Sequence, residues 1–175
     1  SLCRLSIRQS EISRKSANVA VRILGTEFPE EIVTVTAHYD SVPEGPGAYD
    51  NMSGGAIVME AFHYFAEHRP ARTMEFIWFG SEEKGLVGSR NYVKSHEAEM
   101  RNHVFNLNVD LAGQLLGGNV LGVTADPSVC TELKALMEEN RLGVTIKNQV
   151  WASDSNTFAW KGVPALTLNR DGFGM

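Results

Sequence analysis

The chain of 175 residues has a formal net charge of -5, with 43% hydrophobic and 21% charged residues, which is enough for one domain with its own core. Its basic residues never gather into a run, which disfavours nucleic acid and anionic membrane surfaces as partners, and no apolar stretch approaches the ~20 residues needed to cross a bilayer. Two cysteines, Cys3 and Cys130, are too few for a disulfide framework and leave the compartment open between secreted and cytoplasmic.

Apolar strands alternate with longer helical patterns, which predicts an α/β fold with a mixed, centrally parallel sheet and helices on both faces. "NVAVRILG" (residues 18–25) and "EIVTVTA" (residues 31–37) read as strands, and the polar turn between them predicts an antiparallel pair. Ser53 is positioned to cap a helix that carries Ile57, Ala61, Phe62 and Phe65 on its buried face and ends before Pro70. "TMEFIWF" (residues 73–79) is the next strand, followed by a helical stretch at 86–96. Strands are then expected at 104–109, 119–124, 144–149 and 163–168, with a helix marked by Leu133, Leu136 and Met137 and a short one near 153–160.

Three of these strands end in unusual polar residues. His38 follows the second strand, Glu82 and Glu83 follow the third across Gly80 and Ser81, and Asp110 closes "VFNLNV". In α/β sheets with helical crossovers, ligands sit outside the carboxyl ends of the strands, so these side chains should converge on one edge. Asp50 lies on the Gly- and Pro-rich loop that leaves the same edge. One imidazole among several carboxylates is costly unless a cation neutralises the acids, and imidazole with carboxylate oxygen suits zinc. The acids suffice for two metals that share one carboxylate. Neighbouring Glu82 and Glu83, diverging from an extended loop, fit a division of labour in which one binds metal and the other takes a proton from water.

The ordered motifs "HYDSVPEGPGAYDNMSG", "GSEEKGLVGSRNYV", "NLNVD" and "SDSNTFAWKGVPALTL" resemble the co-catalytic dizinc exopeptidases, which include bacterial leucyl aminopeptidases and relatives of glutamate carboxypeptidase and the transferrin receptor. The likeness runs from residue 18 to about 168. It implies that His38 and Asp110 bind one zinc, that Asp50 bridges both ions and that Glu83 binds the other. It also implies that Glu82 is the general base, that the carboxylate of Asp40 holds the ring of His38, and that the peptide bond between Asp50 and Asn51 is cis. The activity implied is aminopeptidase action on peptides, a zinc-dependent hydrolysis of the N-terminal peptide bond. Alternatives are a carboxypeptidase, a glutaminyl cyclase-like enzyme, or a non-catalytic binding domain of the same fold.

Members of the family carry a further histidine ligand shortly after the strand that matches "VPALTL". Here no histidine follows His103, and the chain closes on "NRDGFGM". The expectation is a single catalytic domain over residues 1–175, cut short of that ligand, with one tightly bound zinc where the complete enzyme holds two. "SDSNTF" also lacks the histidine that often follows Ser-Asp in aminopeptidase members, which leaves the role of Asp154 open. His63, His68, His96 and His103 lack acidic partners at ligand spacing and read as surface or partly buried packing residues. The glycines of the acidic loop have no Gly-Lys-Ser/Thr after them and make no phosphate cradle.

Overall fold

The computed structural model describes residues 3–10 and 12–171. Seven strands form one sheet in the order β1-β3-β2-β4-β7-β5-β6. They are β1 (Val19–Ile23), β2 (Phe28–His38), β3 (Arg72–Phe79), β4 (His103–Val109), β5 (Gly118–Thr124), β6 (Val144–Asn148) and β7 (Ala165–Asp171). The central strands β3, β2, β4 and β7 run parallel, whereas β1 and β5 each pair antiparallel with a neighbour. Helices α1 (Met52–Glu67) and α3 (Pro127–Glu139) cover one face, and α2 (Val87–Ser95) and α4 (Ser155–Ala159) the other. The α/β fold with a mixed, centrally parallel sheet and helices on both faces is thus the one the alternation of elements predicts. Among the described residues, no helix is long and apolar enough to cross a membrane.

The first two strands do not pair with each other. β1 lies antiparallel on β3, while β2 takes the opposite side of β3 in parallel. The connecting turn crosses the start of β3, where Thr26 donates to the Pro70 carbonyl and Glu27 and Phe28 donate to that of Ala71. A side chain at Gly25 would lie 2.6 Å from the backbone of residues 71–73, so the crossing needs glycine there. Hydrophobic periodicity identifies each strand but carries no information on this neighbour choice.

Helix α1 is capped by Asn51, not Ser53. Asn51 accepts from the Gly54 amide, and Ser53 instead donates to the Tyr49 carbonyl. With the helix starting at Met52, Val58 points into the core beside Ala61, Phe62 and Phe65, while Ile57 is 37% exposed. Val35, Ala37, Phe76 and Trp78 form the sheet side of this cluster. His103 is fully inside the protein, edge-on to Tyr92 at 6.3 Å, and is more buried than its connecting position suggests.

The chain leaves β2 through α1 to reach β3 on one side, then passes through α2 to β4 on the other. The segments after β2 and β4 therefore part at the carboxyl end of β2, the position where open parallel sheets form a crevice.

Candidate metal centre

His38, the last residue of β2, is 1% exposed. Its Nδ1 lies 3.0 Å from the backbone carbonyl of Asp40. A carbonyl only accepts, so Nδ1 carries the proton, and in the neutral ring Nε2 is left with a free lone pair. That nitrogen sits 3.2 Å from Asp50 Oδ1 and 3.5 Å from Asp110 Oδ1. One donor atom from each of His38, Asp50 and Asp110 fits within a 4.8 Å span.

The scaffold around this trio is built by Asn51. Its Nδ2 donates to the Val109 carbonyl at 2.9 Å, and its Oδ1 accepts from the amides of Gly54 and Leu111. One side chain thereby caps α1 and clips the Asp50 loop to the end of β4 beside Asp110. A Cβ at Gly54 would collide with Asn51 and Val109, so the small residue permits this approach. The Asp50–Asn51 peptide bond is cis.

The Asp40 carboxylate stands beside the His38 ring, and its hydrogen bonds go to backbone amides. It accepts from the amides of Glu82 and Glu83 at 2.9 and 3.2 Å, and it lies 3.6 Å from His38 Nδ1. The carboxylate thereby organises the Glu82–Lys84 segment while its Oδ1 stays close to the ring, whose Nδ1 bonds the Asp40 backbone carbonyl. That segment is a 3-10 turn rather than an extended loop, entered through Ser81 in the left-handed region at φ 62°. Glu82 and Glu83 share a cleft of about 430 Å³ with His38, Asp50, Asp110 and Trp151.

Ser153, which sequence reasoning did not single out, and Asp154, whose role it left open, complete the surroundings. Ser153 donates to Asp110 Oδ2 at 2.6 Å, and Asp154 is fully buried with neither carboxylate oxygen hydrogen-bonded. A Ser-Asp pair before a short helix signals a cap at the sequence level, and only the return of the chain across β5 brings it to the site. Gly122 leaves room for that passage, since a Cβ there would lie 3.2 Å from the Gln149 carbonyl oxygen.

Electrostatics reflect a crowd of acids without enough compensating charge. Burial, reinforced by Asp154, Asp110 and Glu83 against the opposing pull of His38, raises Glu82 to about 7. Burial also raises Asp154 to about 7. Asp50 and Glu83 are raised by burial and by neighbouring acids. Burial disfavours the charged imidazole of His38, but the adjacent carboxylate of Asp110, 3.5 Å from Nε2, outweighs it and lifts the group to about 9. Asp110 Oδ1 and Glu83 Oε1 are buried without hydrogen-bond partners. Imidazole nitrogen and carboxylate oxygens with open lone pairs are a donor set that fits zinc. Asp171, the remaining acid near the end of the chain, is committed elsewhere: it closes β7 and pairs with Lys147 at 2.9 Å.

Residues 18–175 match the sequence pattern of Peptidase family M28. The chain belongs to peptidase family M28. This M28 domain is 34% identical over 135 residues to the vacuolar membrane protease of Saccharomyces cerevisiae, an alignment covering 77% of the chain and 14% of that protein. It is 30% identical over 161 residues to carboxypeptidase Q of Rattus norvegicus, covering 89% of the chain and 34% of that protein. A zinc aminopeptidase from Bacillus subtilis superposes with a TM-score of 0.78 at 28% identity, over 87% of this chain and 39% of that one. The M28 domain therefore spans 14% and 34% of the lengths of these two curated relatives.

Proposed function

We propose that this M28 domain is the catalytic part of a zinc-dependent aminopeptidase that hydrolyses the N-terminal peptide bond of peptides. The observation that carries the reading is the convergence of His38, Asp50 and Asp110 within 4.8 Å, in a cleft that also contains Glu82 and Glu83. His38, Asp50 and Asp110 would hold one zinc, and Asp50 and Glu83 would reach a second. When bound, zinc supplies Lewis acidity and makes water a nucleophile at neutral pH.

The protein's own groups do the rest. Glu82 takes the proton of the attacking water at its carboxylate and returns it to the leaving amine, a role that its place in the cleft beside His38, Asp50 and Asp110 allows. Asp40 holds the backbone of Glu82 and Glu83 and so fixes the base against the ligands. His38 keeps Nδ1 on the Asp40 carbonyl and presents Nε2 inward. Among the described residues, the first metal position would have three protein ligands and the second Asp50 and Glu83. The 175-residue chain is accordingly expected to hold about one zinc tightly.

A second reading, carboxypeptidase action, is favoured by the likeness to carboxypeptidase Q. Metal analysis, combined with rates on aminoacyl and carboxyl-terminal reporter peptides before and after chelation, separates the two. Chelator-sensitive release of an N-terminal residue is expected. Activity confined to C-terminal reporters would transfer the assignment to the second reading, and activity that survives complete zinc removal would sink both.

A further inference from the structure

The central strands bury an unusual row of polar side chains. On the face turned away from α1, β2 presents Thr34, Thr36 and His38, and β4 presents Asn106, Asn108 and Asp110, all buried. The parallel register places Thr34 beside Asn106 and Thr36 beside Asn108. Buried polar groups are costly unless hydrogen-bonded. Here four bonds join five side chains: Asn106 Nδ2 to Thr36 Oγ1 at 3.3 Å, Thr36 Oγ1 to Asn108 Oδ1 at 2.9 Å, Asn108 Nδ2 to Ser153 Oγ at 2.8 Å, and Ser153 Oγ to Asp110 Oδ2 at 2.6 Å.

The direction of this chain is forced from the Asp110 end. An ionised carboxylate only accepts, so Ser153 spends its single proton on Asp110. Ser153 Oγ must then accept from Asn108, which turns the Asn108 amide nitrogen toward Ser153 and its oxygen toward Thr36. That oxygen only accepts, so the Thr36 proton goes to it, and Thr36 in turn accepts from Asn106. Every donor points toward Asp110, and aligned hydrogen bonds in a low-dielectric interior reinforce one another. Asp110 Oδ2 is thereby held by the protein, while Oδ1, buried without a partner, faces Nε2 of His38 at 3.5 Å.

We propose that Thr36 and Asn108 are positioning residues of the metal centre: through Ser153 they hold Asp110 with one oxygen committed to the protein interior and the other presented to the cation. The inference rests on the reading of Asp110 as a metal ligand. Thr34 supplies an internal control. It is equally buried on the same face of the same strand, but its hydroxyl donates to the Phe105 carbonyl at 3.2 Å and accepts from Asn106 at 3.0 Å, a branch that does not lead to Asp110.

The test is zinc affinity by chelator competition, with the visible spectrum of the cobalt-substituted protein, for wild type, Thr36→Val, Thr36→Ser, Thr34→Val and Asp110→Asn. Thr36→Val should weaken zinc binding measurably, by less than the about 10- to 100-fold typical of removing a hydrogen bond made directly to a ligand, because its effect passes through Asn108 and Ser153, and it should shift the cobalt bands. Thr36→Ser should restore both. Thr34→Val should lower the melting temperature about as much as Thr36→Val, since each removes one buried hydroxyl, yet keep wild-type zinc affinity. If the valine variant at 36 does not fold, Thr36→Ala gives the same readout without added bulk. Equal zinc affinity and spectra for the variants at 34 and 36 would overturn the positioning role even if Asp110→Asn loses the metal. Wild-type zinc binding by Asp110→Asn would instead remove the ligand assignment on which the inference stands.

Discussion

The two faces of β2 and β4 divide the work of the domain between them. Toward α1, Val35, Ala37 and Val109 join Val58, Phe76 and Trp78 in an apolar cluster. Toward α4, the alternate residues of the same strands form the polar row that ends in His38 and Asp110. Strand alternation lets one backbone serve both faces, so stability can rest on one side while the other spends burial on polar groups. Damage to the apolar face should therefore register on folding, and damage to the polar face on metal and turnover.

Four measurements test that division. Glu82→Gln should cut peptide hydrolysis by about 10²-fold or more while leaving zinc content near normal, as removal of a general base does; a variant that keeps wild-type turnover would end the assignment. Phe76, fully buried and edge-on to Phe62 at 5.6 Å, tests the other face. Phe76→Ala should cost ~3–5 kcal/mol of folding stability in denaturant titrations, and the molecules that remain folded should bind zinc as tightly as wild type. Weakened zinc binding there would mean that the two faces are coupled.

Asp50→Asn should weaken zinc binding by more than the ~10- to 100-fold typical of losing a ligand's supporting contact. The metal-free variant should melt no lower than wild type, because a carboxylate crowded by Asp110 has been removed. Metal counting paired with thermal melts reads both, and a destabilised metal-free variant would make Asp50 a structural rather than a ligating residue.

The smallest effect is on pH dependence without metal. Burial raises Glu82 from 4.5 to about 7, and Asp110 lifts His38 against burial from 6.5 to about 9. Each group holds its proton to higher pH in the folded state than in the unfolded chain. Its stabilisation is therefore complete below the unfolded value and is lost as pH rises through the folded value. The melting temperature of the metal-free protein should thus decline between pH about 4.5 and 9, and Glu82→Gln should flatten the part below about 7. Zinc binding should release protons, seen as a buffer-dependent binding enthalpy. A melting temperature flat across this range would show that the acids are not crowded.

Much of this was legible in the residues because it depends on local periodicity. The seven strands follow from apolar runs of the right length, and the strand-end positions of His38, Glu82, Glu83 and Asp110 follow from where those runs stop. Parallel α/β topology then brings such ends to one edge, so convergence of distant acids and an imidazole needs no contact information. Smaller errors have local causes. Ser53 and Asn51 are both good capping residues, and the choice between them was made by Asn51 reaching across to Val109. The buried position beside Ala61, Phe62 and Phe65 is Val58 rather than its neighbour Ile57.

What the sequence determined by itself is the class of fold, the elements, and the chemistry collected at one sheet edge, since each is written in spacing and residue type. Tertiary structure alone decided which strands became neighbours, with β1 placed against β3 through the crossing at Gly25. It also decided what each carboxylate does with its two oxygens. Asp40 gives both to the amides of Glu82 and Glu83, while Asp110 gives one to Ser153 and keeps the other free. These are long-range hydrogen bonds between groups 42 to 43 residues apart. No local pattern encodes such partners, because their geometry exists only once the sheet, its crossovers and the returning 149–154 segment have packed together.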